Sequence, residues 1–312
     1  MSTAAHLNWG AEALWQSLEP LLPGVSVEVL ARVDSTNTRL LDRARAVGGD
    51  PEAPVTRPGD LDTLGEPHAT PHGRRQGDIS PCLLVAEDQT RGRGRLGRDW
   101  VSSIGASLTF SLSLPLAPLQ WGGLSLAVGL ALAAALDPRP PGASLAAGGP
   151  DAPRIGLKWP NDLWLVEGPG RGRKLGGILI ETVSVGQRRM CVVGVGLNVL
   201  PQPGEVEGLA HGYACLQELM PAITAPQALA RAVVPMTEAL LRFQSLGFAP
   251  LVTAYAARDL LLGQAVSTSA PEPLQGVAEG VDEQGALRLR TGGAQPLQRV
   301  LSGEVSVRLA GG

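Results

Sequence analysis

Between Ser107 and Leu114 the chain alternates strictly: Leu108, Phe110, Leu112 and Leu114 fall on one side, and only Ser and Thr on the other. A period of two of that length reads as a β-strand with its apolar side on a core. The strand needs partners, and the flanking sequence offers them. Val25 to Val33 alternates, Cys82 to Ala86 reads as a buried strand, and short apolar runs recur at 155–159, 163–166, 175–183 and 190–200. Helical spacing marks 10–19, stopped by Pro20 and Pro23, the stripe Leu40, Leu41, Ala44 and Val47, and the stretches 122–136, 226–246 and 249–261. Asp34, Ser35, Thr36 and Asn37 supply N-cap candidates, so a strand runs directly into a capped helix. From Gly263 the texture changes to short β segments at 264–268, 274–281, 286–290, 297–300 and 304–309, joined by turns, which predicts a small β-barrel-like second domain over 263–312. The first domain is then 1–262.

Glycine and proline break this pattern in two places. Of the 34 residues from Gly48 to Pro81, 12 are Gly or Pro with no apolar period, and 138–153 is similar, so both read as flexible inserts. His68 and His72 in the first insert stand four apart, but without a helix that spacing puts nothing on one face.

Composition narrows the class. With 44% hydrophobic residues the chain can bury a core, and a net charge of −3 gives no broad electrostatic footprint for nucleic acid. Cys82, Cys191 and Cys215 are odd in number and far apart, as expected of buried thiols in a reducing compartment. No Lys or Arg precedes Arg32, so a basic signal-peptide region is missing, and the 13-residue run Leu124 to Leu136 is too short to suggest a membrane span. A soluble, cytoplasmic protein is expected. Of the 26 basic residues only Lys158 and Lys174 are lysine.

Arg91 to Arg98 reads Arg-Gly-Arg-Gly-Arg-Leu-Gly-Arg, followed by Asp99 and Trp100. Gly92, Gly94 and Gly97 match a dinucleotide fingerprint, but the next element is a strand rather than a helix, so that reading fails. Glycines that permit close backbone approach, beside forked arginine donors, suit a loop that cradles carboxylate or phosphate oxygens. An RNA-binding Arg/Gly tract and a solvated hairpin loop are the alternatives. Trp100 adds a flat surface for an adenine. Lys158-Trp159-Pro160-Asn161-Asp162 is a turn that presents an amide and a carboxylate together between two apolar runs. Arg173-Lys174-Leu175-Gly176-Gly177 takes a lysine into a strand whose glycines leave room for a ligand, although a strand-edge lysine can simply be solvated. Gly194-Val195-Gly196-Leu197-Asn198 repeats small residues in a buried strand that ends on an amide.

Taken in order, Asp34-Ser35-Thr36-Asn37, Gln89, the Arg/Gly loop with Trp100, Lys-Trp-Pro-Asn-Asp-Leu, Arg-Lys-Leu-Gly-Gly-Ile-Leu-Ile-Glu and Gly-Val-Gly-Leu-Asn resemble biotin–protein ligases. The resemblance runs from about Val33 to the C-terminus and skips both inserts. It implies an α+β fold: a mixed β-sheet catalytic domain with flanking helices, of the class II synthetase-like biotin/lipoate ligase type, plus a small C-terminal SH3-like β-barrel.

The resemblance also implies a reaction. Biotin and ATP, with Mg²⁺ carried mainly on the phosphates, give biotinyl-5′-AMP, and a lysine of a biotin carboxyl carrier protein or domain then takes the biotinyl group. Ser35, Thr36, Asn37, Gln89, Gly92, Arg93, Gly94, Arg95 and Lys174 are implied at biotin, and Arg93, Arg95, Arg98, Trp100, Lys158, Asn161, Lys174 and Asn198 at ATP or the adenylate. Lys174, Arg95 and Asp162 are implied in catalysis, Asp162 either at the metal or at the acceptor amine. Some family members carry an N-terminal DNA-binding domain; about 32 residues precede the Ser-Thr-Asn motif here, too few for one, so DNA binding is not expected. A homodimer stays open. The competing readings are a lipoate–protein ligase and a biotin-responsive binding or regulatory protein that performs no transfer.

Overall fold

In a computed structural model the described residues are 7–48, 79–201, 212–269, 272–292, 297–301 and 307–309. The 48–81 insert, His68 and His72 therefore fall almost wholly outside them. Helix α1 (Ala11–Leu18) leads to strand β1 (Ser26–Val33), α2 (Thr36–Gly48), β2 (Cys82–Gln89), the two-residue strands β3 (Gly92–Arg93) and β4 (Asp99–Trp100), and β5 (Ser107–Pro115). Next come α3 (Leu124–Leu136), β6 (Ile155–Lys158), β7 (Asp162–Gly168), β8 (Arg171–Val185), β9 (Arg188–Asn198), α4 (Ala225–Leu246) and α5 (Val252–Ala256). Strands β10 (Ala265–Thr268), β11 (Gln275–Val281), β12 (Leu287–Arg290), β13 (Gln298–Val300) and β14 (Val307–Leu309) complete the chain.

Seven strands form one sheet in the order β1-β2-β5-β9-β8-β7-β6; β1 and β2 are parallel and the other pairs antiparallel, so the sheet is mixed. The alternation in β5 sorts its two faces. Leu108, Phe110, Leu112 and Leu114 join the large core with α3 and α4, while Ser107, Thr109, Ser111 and Ser113 face the other way and are buried too. Helix α2 covers that second face, placing Leu40, Leu41 and Ala44 against Leu30, Leu84 and Val192. Helix α3 is apolar nearly all round because it lies between the sheet and α4. Among the described residues no helix is long and apolar enough to cross a membrane.

The five C-terminal strands form an antiparallel sheet in the order β13-β12-β11-β10-β14, the small β-unit that the resemblance implied. It sits tightly on the first sheet. The turn carbonyl of Gly285 accepts from Trp159 Nε1 at 3.1 Å, and a Cβ on Gly285 would lie 2.4 Å from Gly123 Cα.

The predicted helix over 249–261 is shorter than expected. A 3-10 turn at Ala249–Leu251 passes into α5, which stops at Ala256 because the following backbone pairs with the sheet edge instead. Leu157 N–H donates to the Arg258 carbonyl at 2.7 Å, and Leu260 N–H to the Leu157 carbonyl at 3.0 Å. Arg258 then reaches inward to Asp137, whose buried carboxylate also accepts from Arg139 and the Arg154 and Ile155 N–H groups and is held below its ordinary pKa by these bonds against the opposing cost of burial. The 138–153 stretch holds no helix or strand, only turns, with Leu145 N–H bonded to the Ala257 carbonyl at 2.9 Å.

Candidate active site

Parallel pairing of β1 and β2, with Val33 opposite Gln89, brings the residues after both strands to the same end of the sheet. Thr90 and Arg91 prolong the pairing, donating their N–H groups to Val33 and Asp34 carbonyls at 2.9 Å each. Ser35 then opens α2, its hydroxyl 3.5 Å from Thr38 N. The Arg/Gly loop folds back as the β3–β4 ribbon, in which Gly92 pairs with Trp100.

These ends enclose a cavity of about 720 Å³. Every residue that the resemblance implies at biotin, at ATP or in catalysis lines it except Gly92. Gly92 lies behind the wall, where a Cβ would meet the Trp100 carbonyl at 2.2 Å, so its contribution is to let the ribbon close.

One end of the cavity is a network of neutral polar groups. Gln89 Oε1 accepts from Thr36 N at 2.8 Å and lies 3.1 Å from Thr36 Oγ1. Ser111 Oγ lies 2.6 Å from both Thr36 Oγ1 and Asn37 Oδ1. Two hydroxyl protons thus serve three oxygen–oxygen contacts, so one of the three lacks a proton in any arrangement. Asn37 Nδ2 donates to the Leu179 carbonyl at 3.1 Å and to Glu181 at 2.9 Å. Gly194 opposite must lack a side chain, because a Cβ there would fall 2.2 Å from Asn37 Oδ1.

The other end is charged. Lys174 Nζ pairs with Asp162 at 2.9 Å, and Arg95 donates to Asn161 Oδ1 at 3.3 Å. The β7–β8 register skips Leu175, a bulge beside Lys174 of the kind that re-aims a side chain. Burial lowers the Arg95 pKa, opposed by Asp162 and aided by Arg98. Asn161 Nδ2 donates to the Ile178 carbonyl at 2.9 Å, and Asn198 Nδ2 to the Lys174 and Ala214 carbonyls at 3.2 and 2.9 Å. Lys158 is buried, with Nζ 4.4 Å from the centre of the Trp164 ring. The Trp100 indole lies on Gly196, where a Cβ would come within 2.5 Å of the ring. Among the described residues no cluster of three or more His, Cys, Asp or Glu could hold a metal.

Several groups in or behind the cavity wall are assigned no role by the sequence. Ser111 belongs to the plain alternation of β5, Thr38 lies beside a motif, and Glu181 closes the Arg-Lys-Leu-Gly-Gly-Ile-Leu-Ile-Glu stretch. Tyr213 reaches the wall only because the Lys174 backbone pairs with its segment, and its hydroxyl donates to the Leu200 carbonyl at 2.6 Å. Arg173 holds that segment, donating to the Tyr213 carbonyl at 2.7 Å and to both Glu218 oxygens at 3.1 and 2.6 Å.

A mixed sheet flanked by helices, with this cavity at the end of its parallel pair and a small β-unit docked behind, defines the biotin/lipoate ligase fold. Residues 76–198 match the biotin/lipoate A/B protein ligase family and residues 261–308 the biotin protein ligase C terminal domain. The bifunctional ligase/repressor BirA of Escherichia coli K12 is 32% identical over 293 residues, covering 93% of this chain and 76% of that protein. The biotin–[acetyl-CoA-carboxylase] ligase of Paracoccus denitrificans is 34% identical over 274 residues, 84% of this chain and 93% of the relative. Among solved structures, the biotin protein ligase from Aquifex aeolicus in complex with biotin and ATP superposes with a TM-score of 0.64 at 26% identity, covering 91% of this chain and 99% of that one. The chain belongs to the biotin protein ligase family.

Proposed function

We propose that the protein is an ATP-dependent biotin–protein ligase that activates biotin as biotinyl-5′-AMP and transfers it to a lysine of a biotin carboxyl carrier protein or domain. The observation that carries this reading is the division of one cavity into a neutral end rich in hydrogen-bond acceptors and a cationic end. A ureido ring has two N–H donors and one carbonyl; Thr36 and Asn37 offer oxygens for the former and Gln89 amide hydrogens for the latter. A carboxylate extending from that ring points toward Arg93, Arg95 and Lys174, where an α-phosphate can be met.

In the first half-reaction a biotin carboxylate oxygen attacks the α-phosphorus, the bond to the β-phosphate breaks and pyrophosphate leaves. Lys174 and Arg95 stabilise the growing charge; a single preplaced donor of this kind is worth roughly 3–4 kcal/mol. In the second, the carrier amine attacks the acyl carbon, AMP leaves, and an amide forms with loss of a proton. Trp100 supports an adenine contact, because its Nε1 is buried with no acceptor among the described residues and adenine ring nitrogens accept. Lys158, Asn161, Asn198 and Arg98 complete the nucleotide side. One carboxylate, Asp162, with the Asn161 amide, suits Mg²⁺ held chiefly by triphosphate oxygens and water, where it neutralises phosphate charge. We take 1–262 as the catalytic unit and 263–312 as the C-terminal unit, acting in the cytoplasm.

Biotin-dependent ATP–pyrophosphate exchange, run beside lipoate and a no-substrate control and followed by transfer to a carrier domain, tests the reading. Exchange with lipoate alone, or with neither, would overturn it. Exchange and adenylate retention without transfer would make the protein a biotin-responsive binder.

A further inference from the structure

Glu181 lies on β8, and its side chain is 3% exposed beneath the Arg/Gly loop. Its Oε1 accepts from Arg93 at 3.1 Å and its Oε2 from Asn37 Nδ2 at 2.9 Å. Arg93 donates in addition to Thr38 Oγ1 at 2.8 Å. One buried carboxylate therefore ties the loop to the first turn of α2.

The same contact decides which way the Asn37 amide faces. A carboxylate and a backbone carbonyl can only accept, so Glu181 and the Leu179 carbonyl both demand Nδ2. Asn37 then has Oδ1 alone to offer Ser111 and the cavity. We propose that Glu181 is a positioning residue for the biotin end of the site: it fixes Asn37 as an acceptor and holds the loop's Arg93 against α2. This rests on the biotin ligase reading above.

Glutamine at this position offers one acceptor and one donor to two groups that both donate. Whichever way its amide turns, an N–H faces either Arg93 or Asn37, and one arm fails. Hydrogen bonds to charged groups are strong enough that losing one predicts a rise of about 10- to 100-fold in the biotin KM. Of this network only Arg93 is placed near the α-phosphate, so the ATP KM should rise by clearly less than the biotin KM.

The test is steady-state pyrophosphate exchange on the full chain, with biotin and ATP varied separately, for wild type, Glu181→Gln and Glu181→Asp. Aspartate keeps the charge but is one methylene too short to reach both partners, and provides a folded variant if Glu181→Gln does not fold; its biotin KM should rise severalfold. A lower kcat with the biotin KM unchanged in both variants would mean that the carboxylate only supports the fold, and would overturn the proposal. Absence of biotin-dependent exchange in wild type would instead remove the functional reading itself.

Discussion

Replacing Gly194 by alanine tests the neutral end of the cavity through a single methyl group. Gly194 has no left-handed backbone, so alanine is conformationally allowed and its cost is steric. The new Cβ would lie 2.2 Å from Asn37 Oδ1 and 2.8 Å from its Cγ, against the roughly 3.5–4.0 Å of a relaxed carbon contact. The amide must retreat by about 1 Å on this comparison. It is held by Ser111 at 2.6 Å, Glu181 at 2.9 Å and the Leu179 carbonyl at 3.1 Å. Losing two or three such bonds at about 1 kcal/mol each predicts a loss of about 2–3 kcal/mol. If that loss appears in binding, biotin affinity falls roughly 30- to 150-fold. Calorimetric titration of the ligand-free protein with biotin measures this, with circular dichroism melts confirming that the variant is folded. In an Asn37→Ala background the clash is gone, so the double variant should bind no worse than Asn37→Ala alone. A folded Gly194→Ala protein that binds biotin within twofold of wild type would refute the assignment of Asn37 to the ligand.

Lys174→Arg keeps the charge but replaces a compact ammonium, 2.9 Å from Asp162, with a planar fork, and pyrophosphate exchange should fall by about 100-fold; wild-type exchange would show that any cation suffices. Arg95→Gly should form the adenylate more slowly but still measurably and leak it, because a side chain that covers it is gone; bystander-protein lysines labelled by mass spectrometry check this, and labelling confined to the carrier would contradict it. Asp259 gives a pH prediction. Burial pushes its carboxyl from 3.8 up to about 7, so the folded chain keeps a proton that the unfolded chain has lost between those values. Stability from this group falls as pH rises through that window, and the penalty is complete above it. Asp259→Asn, whose Oδ1 can still accept the Leu261 N–H, should raise Tm at pH 8 by the equivalent of about 1–3 kcal/mol and leave it nearly unchanged at pH 4. An equal gain at both pH values would point to a different cause.

Local patterns made most of the sheet legible. The β5 alternation named its core face correctly because cross-strand burial has the same period as the side chains. Its Ser/Thr face was harder: a half-buried strand and a strand covered by a polar ligand site look alike in sequence, and only the Ser111 contacts with Thr36 and Asn37 separate them. The motif residues were legible because their chemistry is unusual for their places, as with a lysine entering a glycine-rich strand. Tyr213 was not, and the parts that Arg173 and Glu181 play were not although both end a motif, since each acts through a partner remote in sequence, such as Asn37, which is 144 positions from Glu181. The overlong helix at 249–261 has a similar origin. Apolar spacing continues past Ala256, but the backbone gains more by capping the exposed edge of β6 than by adding a helical turn.

The close seat of Gly285 against Gly123, with the Trp159 hydrogen bond beside it, makes the two sheets one cooperative body. Residues of both share a continuous core, and the segment that joins them is itself hydrogen-bonded to β6. Heating should therefore give a single unfolding transition, and amide protons of β6 and of the Asp282–Gly285 turn should exchange together. Chain removed after Gly263 would strip the acceptor from a buried indole next to Pro160 and Asn161 and loosen the turn that presents Asp162. A lesion in the smaller sheet would then be felt at the reacting atoms without touching them.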